Sequence, residues 1–198
     1  MAPLLLASAS PRRTALLRLA GVEHSVAPVD CDERWIAGER APDYARRIAL
    51  AKAQLALTRG HPGLILAADT AVWIEPDAAP LGKPTDRQDA RDMLRRLFSA
   101  GRHHVTTAFA LIDGARRGEP SIAAVTTAVW FRELRGAALE RCLERYLDGG
   151  EWQGKAGAYA IQGEAAAFVR RLEGSYSAVV GLPIAEVLDA LDALTPAE

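Results

Sequence analysis

The segment from Leu4 to Gly21 constrains the fold of this chain more than any other stretch. An apolar run, Leu4-Leu5-Leu6-Ala7, passes through the small residues Ser8-Ala9-Ser10 into Pro11-Arg12-Arg13 and then Thr14-Ala15-Leu16-Leu17-Arg18-Leu19-Ala20. The run reads as a buried strand over 3–7. Ser10 reads as an N-cap, Pro11 as the first residue of a helix over 11–20, and Gly21 as its stop. This strand–turn–helix unit carries an electrostatic fault. Arg12 and Arg13 fall in the first helical turn, where the macrodipole is positive and each cation costs about 0.3–1 kcal/mol. Two such faults side by side call for an anion that the sequence does not contain. Free N–H groups at a helix start, completed by two guanidinium groups, form a cradle for phosphate.

The rest of the chain continues the alternation. A second strand is expected within 22–29, followed by the charged loop Asp30-Cys31-Asp32-Glu33-Arg34. Pro42 opens a helix through Thr58, closed by Gly60. Residues 63–74 read as a strand, and a Pro- and Gly-containing loop runs from Glu75 to Pro84. Thr85 or Asp86 caps a helix to about Leu97. Strands over 103–112 and 122–132, with Gly114 and Gly118-Glu119-Pro120 between them, read as a hairpin. A helix over 136–147, strands near 157–162 and 165–172, and a terminal helix from Pro183 to about Leu194 complete the pattern. Interspersed strands and helices make the class α/β.

Composition narrows what such a chain does. The 198 residues suffice for one sizeable domain or two small lobes. The net charge of −1 provides no global field for nucleic acid or a membrane surface, so an anion site has to be built locally. Two cysteines, Cys31 and Cys142, point to a reducing compartment without a disulfide framework or zinc site. The first apolar run is too short for a signal-peptide core, and no run spans a membrane. The expected location is the cytoplasm.

Several residues break their local pattern. Asp69 interrupts Leu64-Ile65-Leu66-Ala67-Ala68 and Ala71-Val72-Trp73-Ile74. A lone buried carboxylate costs several kcal/mol unless paired or metal-bound. It reads either as an Asx-type turn at a strand rim or as a general base or metal ligand. Lys52 lies on the stripe of Ala45, Ile48, Ala49, Leu55 and Ala56, so it either snorkels past the core or delivers a cation into a cleft. Lys83 is presented by the rigid turn Leu81-Gly82-Lys83-Pro84. His103 and His104 should point to opposite faces of a strand and read as structural or solvent-facing. The small residues of Lys155-Ala156-Gly157-Ala158-Tyr159-Ala160-Ile161-Gln162-Gly163 let a backbone or ligand approach closely. Gln162, expected at a strand end, offers both an acceptor and a donor, fitting either a turn cap or a base edge.

These segments together resemble the Maf family of nucleoside triphosphate pyrophosphatases over nearly the whole chain. The resemblance rests on Leu6-Ala7-Ser8-Ala9-Ser10-Pro11-Arg12-Arg13, Ala68-Asp69-Thr70, Leu81-Gly82-Lys83-Pro84, Lys155 to Gly163, Gly174-Ser175-Tyr176-Ser177 and Val180-Gly181-Leu182-Pro183. Asp69-Thr70 and Ile161-Gln162-Gly163 are similar to the branch acting on dTTP and UTP. Two positions depart from the family pattern by placing alanine where glycine is usual, Ala100 and Ala160.

The resemblance implies one domain over 1–198 with a two-lobed α/β fold of the Maf and inosine-triphosphate-pyrophosphatase type, a mixed sheet and a central substrate cleft. It implies a homodimer and no nucleic-acid or membrane partner. By the same resemblance Asp69 is the proton acceptor, Arg12, Thr70 and Gln162 bear on substrate choice, and Ser8, Arg13, Glu33, Lys52 and Lys83 line the cleft. A divalent cation, Mg²⁺ or Mn²⁺, is expected to bridge phosphate oxygens and Glu33 or Asp69. The implied reaction converts dTTP or UTP, and modified pyrimidine nucleotides, to the monophosphate and pyrophosphate. A pyrophosphatase with 7-methyl-GTP preference or broad scope, and a nucleotide-binding regulator of cell division, are the alternative readings.

Overall fold

In a computed structural model, residues 3–75, 79–115 and 119–194 are described. Strand β1 (Leu4–Leu6) leads through Ser8–Ser10 into helix α1 (Pro11–Leu19), as the opening segment predicts. β2 (His24–Val26) is shorter than the expected 22–29. Helix α2 (Ala41–Thr58) and the long strand β3 (Leu64–Trp73) follow within a residue of their predicted limits. Helix α3 (Arg87–Ala100) has Asp86 as its N-cap, accepting from the Asp89 N–H at 2.8 Å. It extends past Leu97 to Gly101, which takes φ +69 and ends it. Ala100 is therefore ordinary helix, and glycine is not needed there. β4 (Arg102–Asp113) and β5 (Ser121–Phe131) form the expected hairpin, with Gly118 of its turn outside the described residues.

Helix α4 (Gly136–Asp148) is as predicted, but the next stretch is not. The strand expected near 157–162 is absent, with a 3-10 turn at Ala156–Ala158, and the one expected near 165–172 forms only from Val169 as β6 (Val169–Glu173), after a 3-10 segment at Glu164–Phe168. Gly157 and Ala158 adopt φ +65 and +62, incompatible with an extended strand. A five-residue helix α5 (Tyr176–Val180) was not foreseen; it starts where Ser175 Oγ accepts from the Ala178 N–H at 3.2 Å. Helix α6 (Ile184–Leu194) is the expected terminal helix. Among the described residues, no helix is long and apolar enough to cross a membrane.

One mixed sheet in the order β2-β1-β3-β4-β5-β6 organises the molecule. β1 runs parallel to β2 and β3, and the remaining pairs are antiparallel. Alternation along the strands divides the core. Leu4, Leu6, Leu64, Leu66, Val72, Phe109 and Leu111 face residues of α1, α3, α4 and α6. Leu5, Ala7, Ile65, Ala67, Ala71, Ala108 and Ala110 face α2.

The α2 interface is built from Ala41, Ala45, Ala49, Ala53 and Ala56, all buried. Ala53 rather than Leu55 occupies the inner stripe. Small side chains bring the helix close to the sheet, and Lys52 descends into the same seam. Ala49→Leu should therefore overpack this seam and cost about 1–3 kcal/mol. Urea unfolding measures it; a midpoint equal to wild type would show that the seam has room to spare.

Candidate active site

Asp69 and Thr70 become accessible because β1 ends early. The Ala7 N–H donates to the Leu66 carbonyl at 2.8 Å, and β1 then turns away into α1. β3 continues to Trp73, and its edge is next met by Leu81, whose N–H donates to the Val72 carbonyl at 2.6 Å. Between these two rungs the β1-side edge of β3 has no main-chain partner among the described residues. A cleft of about 470 Å³ opens there. Consecutive side chains on opposite faces of β3 can both reach it: Asp69 on the α2 side and Thr70 on the α1 side.

Asp69 is 7% exposed and Lys52 8%. Lys52 Nζ donates to Asp69 Oδ1 at 2.8 Å and lies 2.6 Å from Glu33 Oε1. Lys52 therefore delivers its ammonium into the cleft instead of snorkelling past the core, and Asp69 lies buried and paired inside β3, not in an Asx turn at a strand rim. Glu33 is positioned through α2: the Tyr44 hydroxyl donates to the Glu33 carbonyl at 2.9 Å, while Arg47 clasps Glu39 in the same loop with two 2.7 Å bonds. Lys83 Nζ approaches Glu33 Oε2 at 3.5 Å.

One ammonium thus serves two carboxylates. Burial opposes the charge of Lys52, but Asp69 and Glu33 outweigh it and hold its pKa above the ordinary value. Burial lifts Asp69 above the usual carboxylate range, against the pull of Lys52 and Arg13. Burial also opposes ionisation of the half-exposed Glu33, but Lys52 and Lys83 prevail and hold it low. The two acids that share the cation are thus shifted in opposite directions, Asp69 up and Glu33 down.

The α1 end of the cleft is held by Arg13. Its Nε donates to the Gly181 carbonyl at 2.8 Å, Nη1 to Ser8 Oγ at 2.9 Å and Nη2 to Thr70 Oγ1 at 3.4 Å. Three protein acceptors leave two of its five N–H donors unspent. Burial lowers its pKa, and the nearby Asp69 charge supports its protonated form. Ser8 Oγ accepts from both Arg13 and the Ser10 N–H at 3.2 Å, so its own proton is free to be donated. Ser10 occupies the N-cap position but makes no side-chain capping bond, leaving the first-turn N–H groups uncapped by it. Arg12 Nε donates to the Val180 carbonyl at 3.3 Å.

Every candidate site residue lines this one cleft: Ser8, Arg12, Arg13, Glu33, Lys52, Asp69, Thr70, Lys83 and Gln162. Gln162 sits exposed in a turn rather than at a strand end. Ala160, the second departure from the family pattern, has no positive φ, so its methyl group carries no backbone penalty. The histidines correct one alternative. His103 and His104 do face opposite sides of β4, but both are buried and neither is solvent-facing. His103 Nε2 is 2.8 Å from the Tyr159 hydroxyl, and burial followed by His104 pushes its pKa down to about 3. Tyr159, thus anchored, forms part of the cleft wall.

Tyr159 and Lys155 are wall residues without an assigned role. Their turn is pinned by the Gly157 N–H, which donates to the Gly82 carbonyl at 3.0 Å. A Cβ on Gly157 would lie 2.9 Å from Val72 Cγ1, so the small-residue stretch permits close backbone approach as its composition indicates. Its lysine was the available signal for a further cleft cation.

Among the described residues, no group of three or more His, Cys, Asp or Glu side chains could hold a metal ion. Glu33 and Asp69 nevertheless converge on one point, the Lys52 ammonium. Two carboxylates fit a hard cation that completes its shell with phosphate oxygens and water, not an all-protein cage.

The profile of the family described as Maf-like protein matches residues 3–194. The chain belongs to the Maf-like family. A dTTP/UTP pyrophosphatase of Geobacter sp. (strain M21) is 45% identical over 188 residues, covering 95% of this chain and 93% of that protein. A dTTP/UTP pyrophosphatase of Anaeromyxobacter dehalogenans (strain 2CP-1 / ATCC BAA-258) is 48% identical over 189 residues, covering 94% and 91%. The solved structure of a HAM1 protein from Coxiella burnetii shares the fold, with TM-score 0.55 at 17% identity over 98% of this chain and 100% of that one.

Lys52→Met should lower stability at neutral pH by about 3–5 kcal/mol, because two carboxylates lose their shared cation. The Asp69 pKa then rises further above its unfolded value, so the folded state takes up a proton more readily. The deficit should shrink as pH falls toward the carboxylate range. Denaturant unfolding at pH 5 and pH 8 checks this; an equal deficit at both would contradict the shared-cation account.

Proposed function

We propose that this Maf-like chain hydrolyses dTTP and UTP, and modified pyrimidine nucleotides, between the α- and β-phosphates. The observation that carries the reading is Asp69: buried, more basic than an ordinary carboxylate, and bound by Lys52 through Oδ1 alone. Oδ2 makes no hydrogen bond to the described residues and is the oxygen available to a water molecule. The dTTP/UTP pyrophosphatase activity named for relatives at 45% identity supports the choice of reaction.

In this reading Asp69 accepts a proton as water attacks the α-phosphorus. The new P–O bond forms, the bond to the bridging α–β oxygen breaks, and pyrophosphate leaves with that bond's electron pair. The nucleoside monophosphate remains. Ser8 O–H, the uncapped N–H groups of α1 and the unspent Arg13 donors hold phosphate oxygens, and Lys52 and Lys83 close the other side. Positioning and charge neutralisation provide most of the catalysis. Thr70 Oγ1 is engaged by Arg13 and lies 2.8 Å from Thr107 Oγ1, so Thr70 influences substrate choice by setting Arg13. Gln162, exposed at the rim, pairs with part of the acceptor–donor–acceptor edge of uracil or thymine. Glu33 and Asp69 would hold Mg²⁺ or Mn²⁺, whose contribution is neutralisation of phosphate charge. The family resemblance carries a homodimer and a cytoplasmic location with this reading.

Asp69→Asn should keep the fold and lose about 10²–10⁴-fold in kcat. Pyrophosphate release measured with dTTP, UTP, CTP and 7-methyl-GTP should favour the first two. Near-normal turnover by Asp69→Asn would remove Asp69 as the base, and a preference for 7-methyl-GTP would overturn the pyrimidine assignment. Because the base acts deprotonated and its pKa is raised, activity should fall with decreasing pH above the ordinary carboxylate range of about 4. A pH–rate profile locates that limb, and a limb at or below that range would contradict the assignment.

A further inference from the structure

The five cations that line the cleft are not equally compensated. Lys52 is bridged by Glu33 and Asp69, Lys83 approaches Glu33, and Arg13 feels the charge of Asp69. Arg12 and Lys155 have no carboxylate within ion-pair distance among the described residues. Their side-chain hydrogen bonds go to main-chain carbonyls: Arg12 Nε to Val180 at 3.3 Å and Lys155 Nζ to Gln153 at 3.2 Å. Both are partly buried, and both line the cleft. Burial, then the charge of Arg12, lowers the Lys155 pKa against a weaker opposing pull from Glu151. Burial likewise lowers that of Arg12. Two partly desolvated cations without an ion-pair partner among the described residues repel one another, and a multivalent anion between them would remove that cost.

The pair is also held in place. Arg12 projects from the first turn of α1. Lys155 immediately precedes the tight turn that the Gly157–Gly82 hydrogen bond fixes. Lys52, already shared by two carboxylates, presents less net positive charge to a ligand than this pair does.

We propose that Arg12 and Lys155 form a pyrophosphate subsite, binding the β- and γ-phosphates of the substrate and then the pyrophosphate product. The proposal rests on the reading of the cleft as a nucleoside triphosphate pyrophosphatase site and adds Lys155 to it. The most highly charged part of a triphosphate lies at its terminal phosphates, matching the cations that lack counter-ions. The α-phosphate is then left to Asp69 and Lys52. As the anhydride bond breaks, negative charge grows on the leaving pyrophosphate, so the same two cations stabilise the transition state.

Calorimetric titration with inorganic pyrophosphate tests the subsite without turnover. Wild type, Lys155→Gln and Lys155→Arg are compared, with dTMP as the control ligand and circular dichroism to verify folding. Loss of one charge-assisted contact should weaken pyrophosphate binding by about 10–100-fold in Lys155→Gln. The dTMP affinity should change by less than about 2-fold, and Lys155→Arg should retain most of the pyrophosphate affinity. The KM for dTTP and the inhibition constant of pyrophosphate should rise together. Absence of pyrophosphate binding by wild type, unchanged affinity in Lys155→Gln, or an equal loss for dTMP would each overturn the subsite. Failure of the wild type to hydrolyse dTTP would instead count against the proposed reaction, while the pyrophosphate titration still decides the subsite.

Discussion

Lys52 enters the alanine seam between α2 and the sheet, and the arrangement of the cleft depends on what its ammonium meets there. An isolated cation at that depth would be untenable, as would an isolated Asp69 in the middle of β3. Each makes the other possible, at 2.8 Å, and Glu33 joins them from the loop after β2. The pairing does more than neutralise charge. It fixes one oxygen of Asp69, leaves the other open, and shares one positive charge between two acids, the more buried of which is shifted up and the other down. A buried ion pair is poor evidence of stability. Here its value lies in placing a buried carboxylate beside a cluster of cations.

The sheet determines why that carboxylate can be reached. β1 stops after Leu6 while β3 continues to Trp73, so part of a central strand is open along one edge. Side chains from both faces of β3 meet in the gap. The α2 face contributes Asp69 and its ammonium partner; the α1 face contributes Thr70, Arg13 and Ser8. Arg12 and Arg13 also tie the first helix to the Val180 and Gly181 carbonyls, joining segments far apart in the chain. The positive first turn of α1 is therefore partly answered by main-chain acceptors and by Asp69, and only the remainder is available to a ligand. Arg13, the more buried of the two, spends more of its donors on the protein. Arg12 retains more freedom to meet one.

Much of this was readable from local signals. The turn after β1, the limits of α2, β3, β4 and β5, and the interruption of β3 by Asp69 follow from periodicity, helix stops and one misplaced charge. The segment from Ala156 to Phe168 was misread because small and apolar residues imitate a strand. Contact of Gly157 with Val72 and Gly82 forces positive φ there, and neither partner is nearby in sequence. Helix α5 was missed because one turn capped by Ser175 is too short to show a period. The burial of both histidines was undetermined because opposite faces of β4 are both covered, one by aromatic rings including Tyr159 and the other by Trp73, which stacks on His104.

The amino-acid sequence by itself determined the α/β alternation, the strand–turn–helix start and the set of side chains that gather in the cleft. Those features depend on hydrophobic period, capping residues and family motifs, all carried within short stretches. Only the tertiary structure decided the charge pairing: that Lys52 serves two carboxylates, that Arg13 is largely committed to the protein, and that Arg12 and Lys155 are left without a counter-ion. A counter-ion is a matter of distance in space. Its identity emerges only when β3, α2, the loop bearing Glu33 and the turn bearing Lys155 come together around one open strand edge.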